Sequence, residues 1–184
     1  MTNARRWKPF LAFLTMIAVL ATSVAAFALD RAADGYFHTG SSMRQKRFIV
    51  MVDVYAIGHM MKELPAEATI AGVIAAKTEK VFVLTMQRDV AGSKMTDAIG
   101  EAFKANGYTD AGRIAKFSGV FGEEVKKGQS IRIAYSPATD TTTASTNGKS
   151  VTVDGEAFMK AMWACFLKNP EQPSMGADLV SKMK

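Results

Sequence analysis

The segment Phe48–Ile57 runs Phe-Ile-Val-Met-Val-Asp-Val-Tyr-Ala-Ile, almost continuously apolar and rich in β-branched residues. Its length and composition predict a strand buried on both faces, near the middle of a sheet. Side chains alternate along a strand, so Phe48, Val50, Val52, Val54 and Ala56 are expected on one face. Ile49, Met51, Asp53, Tyr55 and Ile57 are expected on the other. A carboxylate in such an apolar wall must meet a cation, meet hydrogen-bond donors, or take up a proton. Arg44 and Arg47, just before the strand, are the nearest cations in sequence. The cluster has two readings. One is a structural ion pair beside a core tyrosine. The other is the polar end of a ligand pocket, where a few orienting groups interrupt an apolar lining. The residue pattern alone leaves both open.

Around this segment the pattern predicts a mixed fold. Leu29–Arg47 reads as a polar lead-in, Pro65–Ala76 as a short helix and Val81–Met86 as a second buried strand. Ser93 is a candidate cap for a helix whose Met95, Ile99 and Phe103 form one stripe before Gly107. Asp110 is a candidate cap for another, with Ile114, Phe117 and Phe121 inward. Ile131–Tyr135 alternates as a strand. Asn147-Gly148 is the strongest hairpin signal in the chain, joining the Thr-rich Thr139–Thr146 to Ser150–Val153. Asp154 is expected to cap a long helix burying Phe158, Met162, Cys165 and Phe166, stopped by Asn169-Pro170. A last short helix in Ser174–Lys184 would use Met175, Leu179 and Met183. Clustered strands, helices and hairpin chemistry indicate α+β: an antiparallel sheet with helices on one face.

The N-terminus predicts export. Arg5, Arg6 and Lys8 precede Phe10–Ala28, which carries no charge, and Ala26-Phe27-Ala28 is an A-x-A cleavage site. Residues 1–28 are therefore expected to be a secretory signal, with the mature domain spanning 29–184 in the periplasm. Retention as an inner-membrane anchor is the alternative, since the uncharged run is close to the roughly 20 residues that span a bilayer. Cleavage removes three of the 23 basic residues and none of the 17 acids, leaving a charge of +3. That modest charge argues against a nucleic-acid partner. Cys165 is the only cysteine, so no internal disulfide forms, and its apolar neighbours Trp163, Ala164 and Phe166 predict an inert thiol.

Several chemistries are not signalled. With only His38 and His59, a zinc site lacks ligands at workable spacing. No nucleophile elbow, phosphate loop or dinucleotide fingerprint occurs. No cofactor is called for, and no catalytic residue stands out.

The order Gly40-x-x-x-Arg44, then Arg47-Phe48-Ile49-Val50-Met51-Val52-Asp53-Val54-Tyr55-Ala56, resembles the opening of exported bacterial chalcone isomerase-like domains. Further pieces follow in order: Arg88-Asp89-Val90, Lys127-Gly128 before Ile131–Tyr135, Asn147-Gly148-Lys149, and Asp154-Gly155-Glu156-Ala157-Phe158 leading to Phe166-Leu167. The resemblance covers roughly Gly35–Lys184. It implies an open-faced β-sandwich, a large antiparallel sheet with a helical layer and a cleft. Family members either cyclise chalcones or bind fatty acids without known catalysis. Arg44 resembles the arginine that binds the ligand's anionic oxygen or carboxylate. Tyr55 falls where the binders have a tyrosine and the isomerases a threonine. A tyrosine and an asparagine of the isomerases' catalytic helix correspond to Ala91 and Ala98, and losing even one orienting donor costs orders of magnitude in rate.

The expected function is therefore a non-catalytic binder of a fatty acid or similar small amphipathic ligand, with Arg44 and Tyr55 on its head group and Asp53 a possible further polar residue of the pocket. Asp53 would compete with an acidic ligand for Arg44 unless it points away. The alternatives are an isomerase or lyase for a chalcone-like or enone substrate, and a structural or interaction protein whose cleft is filled. Oligomeric state and ligand identity are not readable.

Overall fold

The computed structural model describes residues 29, 31–47 and 49–183. The predicted signal, residues 1–28, lies outside them. Six antiparallel strands follow one another in chain order across a single sheet: β1 (Phe37–Arg47), β2 (Met51–Met61), β3 (Lys80–Met86), β4 (Ser130–Ser136), β5 (Thr141–Thr146) and β6 (Lys149–Asp154). The helices are α1 (Ile70–Ala75), α2 (Gly92–Ala105), α3 (Ala111–Ser118), α4 (Glu156–Leu167) and α5 (Met175–Leu179). This is the expected α+β architecture, an open sheet with helices on one side.

The core lies between that sheet and α4. Phe82, Leu84, Ile131 and Ile133 face Phe158, Met159, Met162 and Trp163, all buried. Eight of the twelve residues of α4 are buried, so it is a central helix with few polar positions rather than an amphipathic one. Phe103 of α2, Phe117 of α3 and Phe158 pack as an aromatic cluster with centroids 5.2–6.2 Å apart. Asn147 and Gly148 both adopt positive φ (53° and 74°), as a tight two-residue β5–β6 turn requires. Asp110 caps α3 by accepting from the Arg113 amide at 3.0 Å.

Several local expectations are corrected. Leu29–Arg47 is not merely a lead-in: residues 37–47 form the edge strand β1. Its polarity fits that place, because Gly40 lies directly beneath α5, where a Cβ would collide with the Asp178 carbonyl. Ser42 Oγ donates to Asp178 Oδ2 at 2.8 Å. The apolar segment starts its strand at Met51, not Phe48, and lies second from the edge; Ile49 and Val50 form a bend at the hairpin tip. The predicted caps Ser93 and Asp154 do not serve. Ser93 lies inside α2, which has Ala91 as its N-cap and no side-chain cap bond. Asp154 ends β6 and pairs with Arg113 at 3.3 Å, leaving Gly155 to cap α4. The first helix is confined to Ile70–Ala75, capped by Thr69 rather than starting at Pro65.

Candidate functional site

Arg44 and Tyr55 are directly opposite one another in the β1–β2 ladder. Cross-strand partners point to the same face, so residues eleven apart in sequence become neighbours. Arg44 is 8% exposed, and its guanidinium forms an ion pair with Glu171 of the α4–α5 loop. It also donates to the Gln45 carbonyl. Gln172, next along that loop, holds the same stretch: it accepts from the Gln45 amide at 2.9 Å and donates to the Met43 carbonyl at 3.0 Å. Tyr55 is half-buried and packs against the core. Burial pushes its phenol well above the ordinary value; Arg44 pulls it partly back, while Glu171 adds to the rise. Tyr55 is therefore a neutral hydroxyl, able to donate a hydrogen bond but not to serve as a phenolate base.

The alternation argument for Asp53 fails at a β-bulge. Arg44 pairs with Tyr55, yet the next residue, Gln45, pairs with Asp53. Val54 is the extra residue, and its carbonyl accepts from the Gln87 amide at 2.9 Å. Asp53 is exposed and accepts from Gln45 Nε2 at 2.8 Å. The predicted Arg44–Asp53 or Arg47–Asp53 pairing is thus replaced by Arg44–Glu171 and Gln45–Asp53. Glu171 was invisible to local reasoning because it arrives from 127 residues downstream.

Sequence reasoning also missed a second polar cluster, inside the core. His59 of β2, Lys80 of β3 and Trp163 of α4 are fully buried. Trp163 Nε1 donates to His59 Nε2 at 2.9 Å, so Nε2 carries a lone pair and the ring proton sits on Nδ1. Nδ1 lies 2.6 Å from Thr39 Oγ1, which donates onward to the Leu179 carbonyl at 2.8 Å. Burial, then Lys80, then His38 push the His59 pKa down to about 3, keeping the imidazole neutral. Lys80 Nζ donates to the Val73 and Ile74 carbonyls at 2.8 and 3.0 Å, at the C-terminal end of α1. It also sits 4.9 Å from the Trp163 ring centroid. Burial pushes its pKa down to about 7, with Lys160 adding to the fall and Glu156 opposing it. Cys165 is buried, and its thiol is pushed up to about 12 by burial.

Surface clefts lie away from the arginine–tyrosine pair among the described residues. One of about 510 Å³ lies between α2 and α3, lined by residues including Thr96, Lys104, Tyr108 and Ile114. The other, about 430 Å³, lies beside the β5–β6 turn with Arg132 and Asn147. Neither is lined by Arg44, which the Glu171–Gln172 loop engages, or by Tyr55, which packs against the core. Among the described residues no group of three or more His, Cys, Asp or Glu side chains is placed to hold a metal ion.

An open antiparallel sheet, a one-sided helical layer and an arginine–tyrosine pair on its first hairpin define a known class. The chain belongs to the chalcone isomerase-like family, whose model matches residues 37–180. Among solved structures it is similar to a fatty-acid binding protein of Arabidopsis thaliana, with a TM-score of 0.65 and 15% identity over 83% of this chain and 90% of that one. At that identity the likeness is one of fold. No curated protein sequence matches the chain.

Proposed function

We propose that this protein is an exported, non-catalytic binder of a fatty acid or similar small amphipathic molecule, acting in the periplasm. The observation that carries the reading is the arginine–tyrosine pair itself. A nearly buried guanidinium and a neutral phenol share one face of β1–β2, and the carboxylate on the guanidinium comes from Glu171, whose side chain is 66% exposed. A ligand carboxylate takes the place of Glu171, gains charge-assisted hydrogen bonds from Arg44 and accepts another from Tyr55. Glu171 returns to water at little cost, since exposed ion pairs are worth about 0–1 kcal/mol. The tail lies among apolar residues of the sheet and of α2, in space opened when the α4–α5 loop lifts from the hairpin. Asp53, turned toward Gln45, does not compete for the guanidinium. Ala91, the N-cap of α2, and Ala98 within it offer no side-chain donor to orient a reacting substrate, which supports binding over isomerisation.

Native mass spectrometry of the purified protein should show bound lipid, and titration with a fatty acid should saturate at one site. Protein that is both empty and unable to take up fatty acid would sink the proposal. A second reading rests on the same pair: Arg44 is already satisfied by Glu171 and Gln45, as in a structural protein with a filled cleft. Under that reading Arg44→Ala loosens the α4–α5 loop and changes the affinity for no lipid.

A further inference from the structure

The β1–β2 hairpin extends beyond the rest of the sheet. Pairing of β2 with β3 runs from Met61–Lys80 only as far as Tyr55–Met86, so Met51–Val54 pair with β1 alone. Met43, Ile49, Val50 and Met51 are the large hydrophobic side chains left exposed among the described residues; the last three lie at the end of this arm, and Met43 lies on β1 opposite Ala56. Ile49 is 99% exposed, Val50 65% and Met51 56%. Lys46 and Arg47 stand immediately before the tip, and no acid occurs between Arg44 and Asp53. At the base of the arm Asp53 accepts from Gln45 and Glu171 pairs with Arg44. Among the other described residues the large hydrophobics are buried or half-buried, so three exposed ones in succession at one protruding tip are a local feature of composition and shape.

We propose that this arm is a membrane-docking finger, whose Ile49, Val50 and Met51 enter the acyl boundary of an anionic bilayer while Lys46 and Arg47 meet its head groups. Apolar side chains with flanking cations are the chemistry of interfacial insertion. A bilayer fits better than a second copy of the chain: a second copy would bring the same two cations against these, whereas anionic head groups complement them. No described helix is long and apolar enough to cross a membrane, so the arm touches one leaflet. Docking does not depend on the fatty-acid reading, and the two fail separately.

The test uses the full chain with an environment-sensitive fluorophore on Val50→Cys. The native Cys165 is buried and escapes labelling. Residues 10–28 carry no charge, so pelleting with vesicles would not single out the arm, whereas a reporter at the tip does. Phosphatidylglycerol vesicles carrying a spin-labelled lipid should quench the tip reporter. A control label at Ala138→Cys, in the β4–β5 turn at the opposite end of the sheet, should stay unquenched. Phosphatidylcholine vesicles should quench the tip far less. Lys46→Gln with Arg47→Gln should weaken the vesicle affinity read by tip quenching about 25-fold, at about fivefold per cation. Ile49→Asp, at a fully exposed position that leaves the fold intact, should abolish it. Equal quenching at both labels, equal quenching in both lipids, or tip-to-tip energy transfer in solution without vesicle quenching would each overturn the proposal. Tip quenching in a protein that takes up no fatty acid would leave the finger standing and remove only the ligand reading.

Discussion

Among the described residues two basic side chains, Lys80 and Arg44, are withdrawn from water by opposite means. Lys80 is fully buried and meets helix-terminal carbonyls and the Trp163 ring. Arg44 lies at the base of a protruding hairpin and meets a carboxylate on a largely exposed loop. The partners of Lys80 are main-chain atoms of the core that cannot leave without unfolding. The partner of Arg44 is the largely exposed side chain of Glu171, which on the proposed reading gives way to a ligand carboxylate. Burial alone therefore does not mark a binding residue; what marks it is whether the counter-group can be replaced.

The largest effect should come from breaking the fixed cation. Lys80→Ala strips two carbonyl acceptors at the end of α1 and leaves a void beside Trp163, at a loss of about 3 kcal/mol by denaturant unfolding. A loss below about 1 kcal/mol would mean that the lysine is merely tolerated. Arg44→Ala should cost stability only about 1 kcal/mol, because Glu171 can return to water. The same change should weaken fatty-acid binding by roughly 10- to 100-fold while sparing the methyl ester, as expected for lost charge-assisted hydrogen bonds. Equal losses for acid and ester in calorimetric titration would remove Arg44 from the head-group role.

The pH dependence sharpens the contrast further. Lys80 has a folded pKa of about 7, below its ordinary 10.5. Above pH 7 the unfolded chain holds a proton that the native state has released, so stability rises with pH, as seen by urea unfolding between pH 7 and 9. Lys80→Met should flatten that rise. Beyond pH 9 the raised pKa values of Cys165, Tyr55 and Tyr135 act the other way. His59, folded near 3 against 6.5, makes stability fall as pH drops from 6.5 toward 3. The smallest effect should be a gain: Glu171→Gln removes the carboxylate that a fatty acid must displace. Titration should show affinity rising about two- to fivefold, the worth of an exposed ion pair. No gain would mean that Glu171 and the ligand do not share Arg44.

The same contrast shows what could be read from sequence. β3 to β6 and the Asn147-Gly148 turn were legible because apolar alternation and positive-φ residues act locally. β1 was not, since an edge strand covered by α5 through Gly40 and Ser42 makes contact by close backbone approach and polar groups, which leaves no apolar period. Lys80 and His59 carried no local signal, because their satisfaction comes from α1, α4 and Thr39, distant in the chain. Arg44 and Tyr55 stood out as polar residues in or beside an apolar strand and took a head-group role through family resemblance, but their juxtaposition needed the β1–β2 register. Asp53 was misplaced because a bulge leaves no mark in the residue types around it.

That bulge at Val54 behaves as a phase shifter between two parts of one strand. Downstream, the pleat keeps time with the core; upstream, it runs half a period out of step. Inserting one residue between Arg44 and Gln45, opposite Val54, would remove the bulge and turn Asp53 onto the face of Tyr55, setting a second carboxylate beside the guanidinium without altering any residue that now touches it. With the phase shift in place, the fingertip and the arginine can diverge in sequence independently, each keeping its own rhythm.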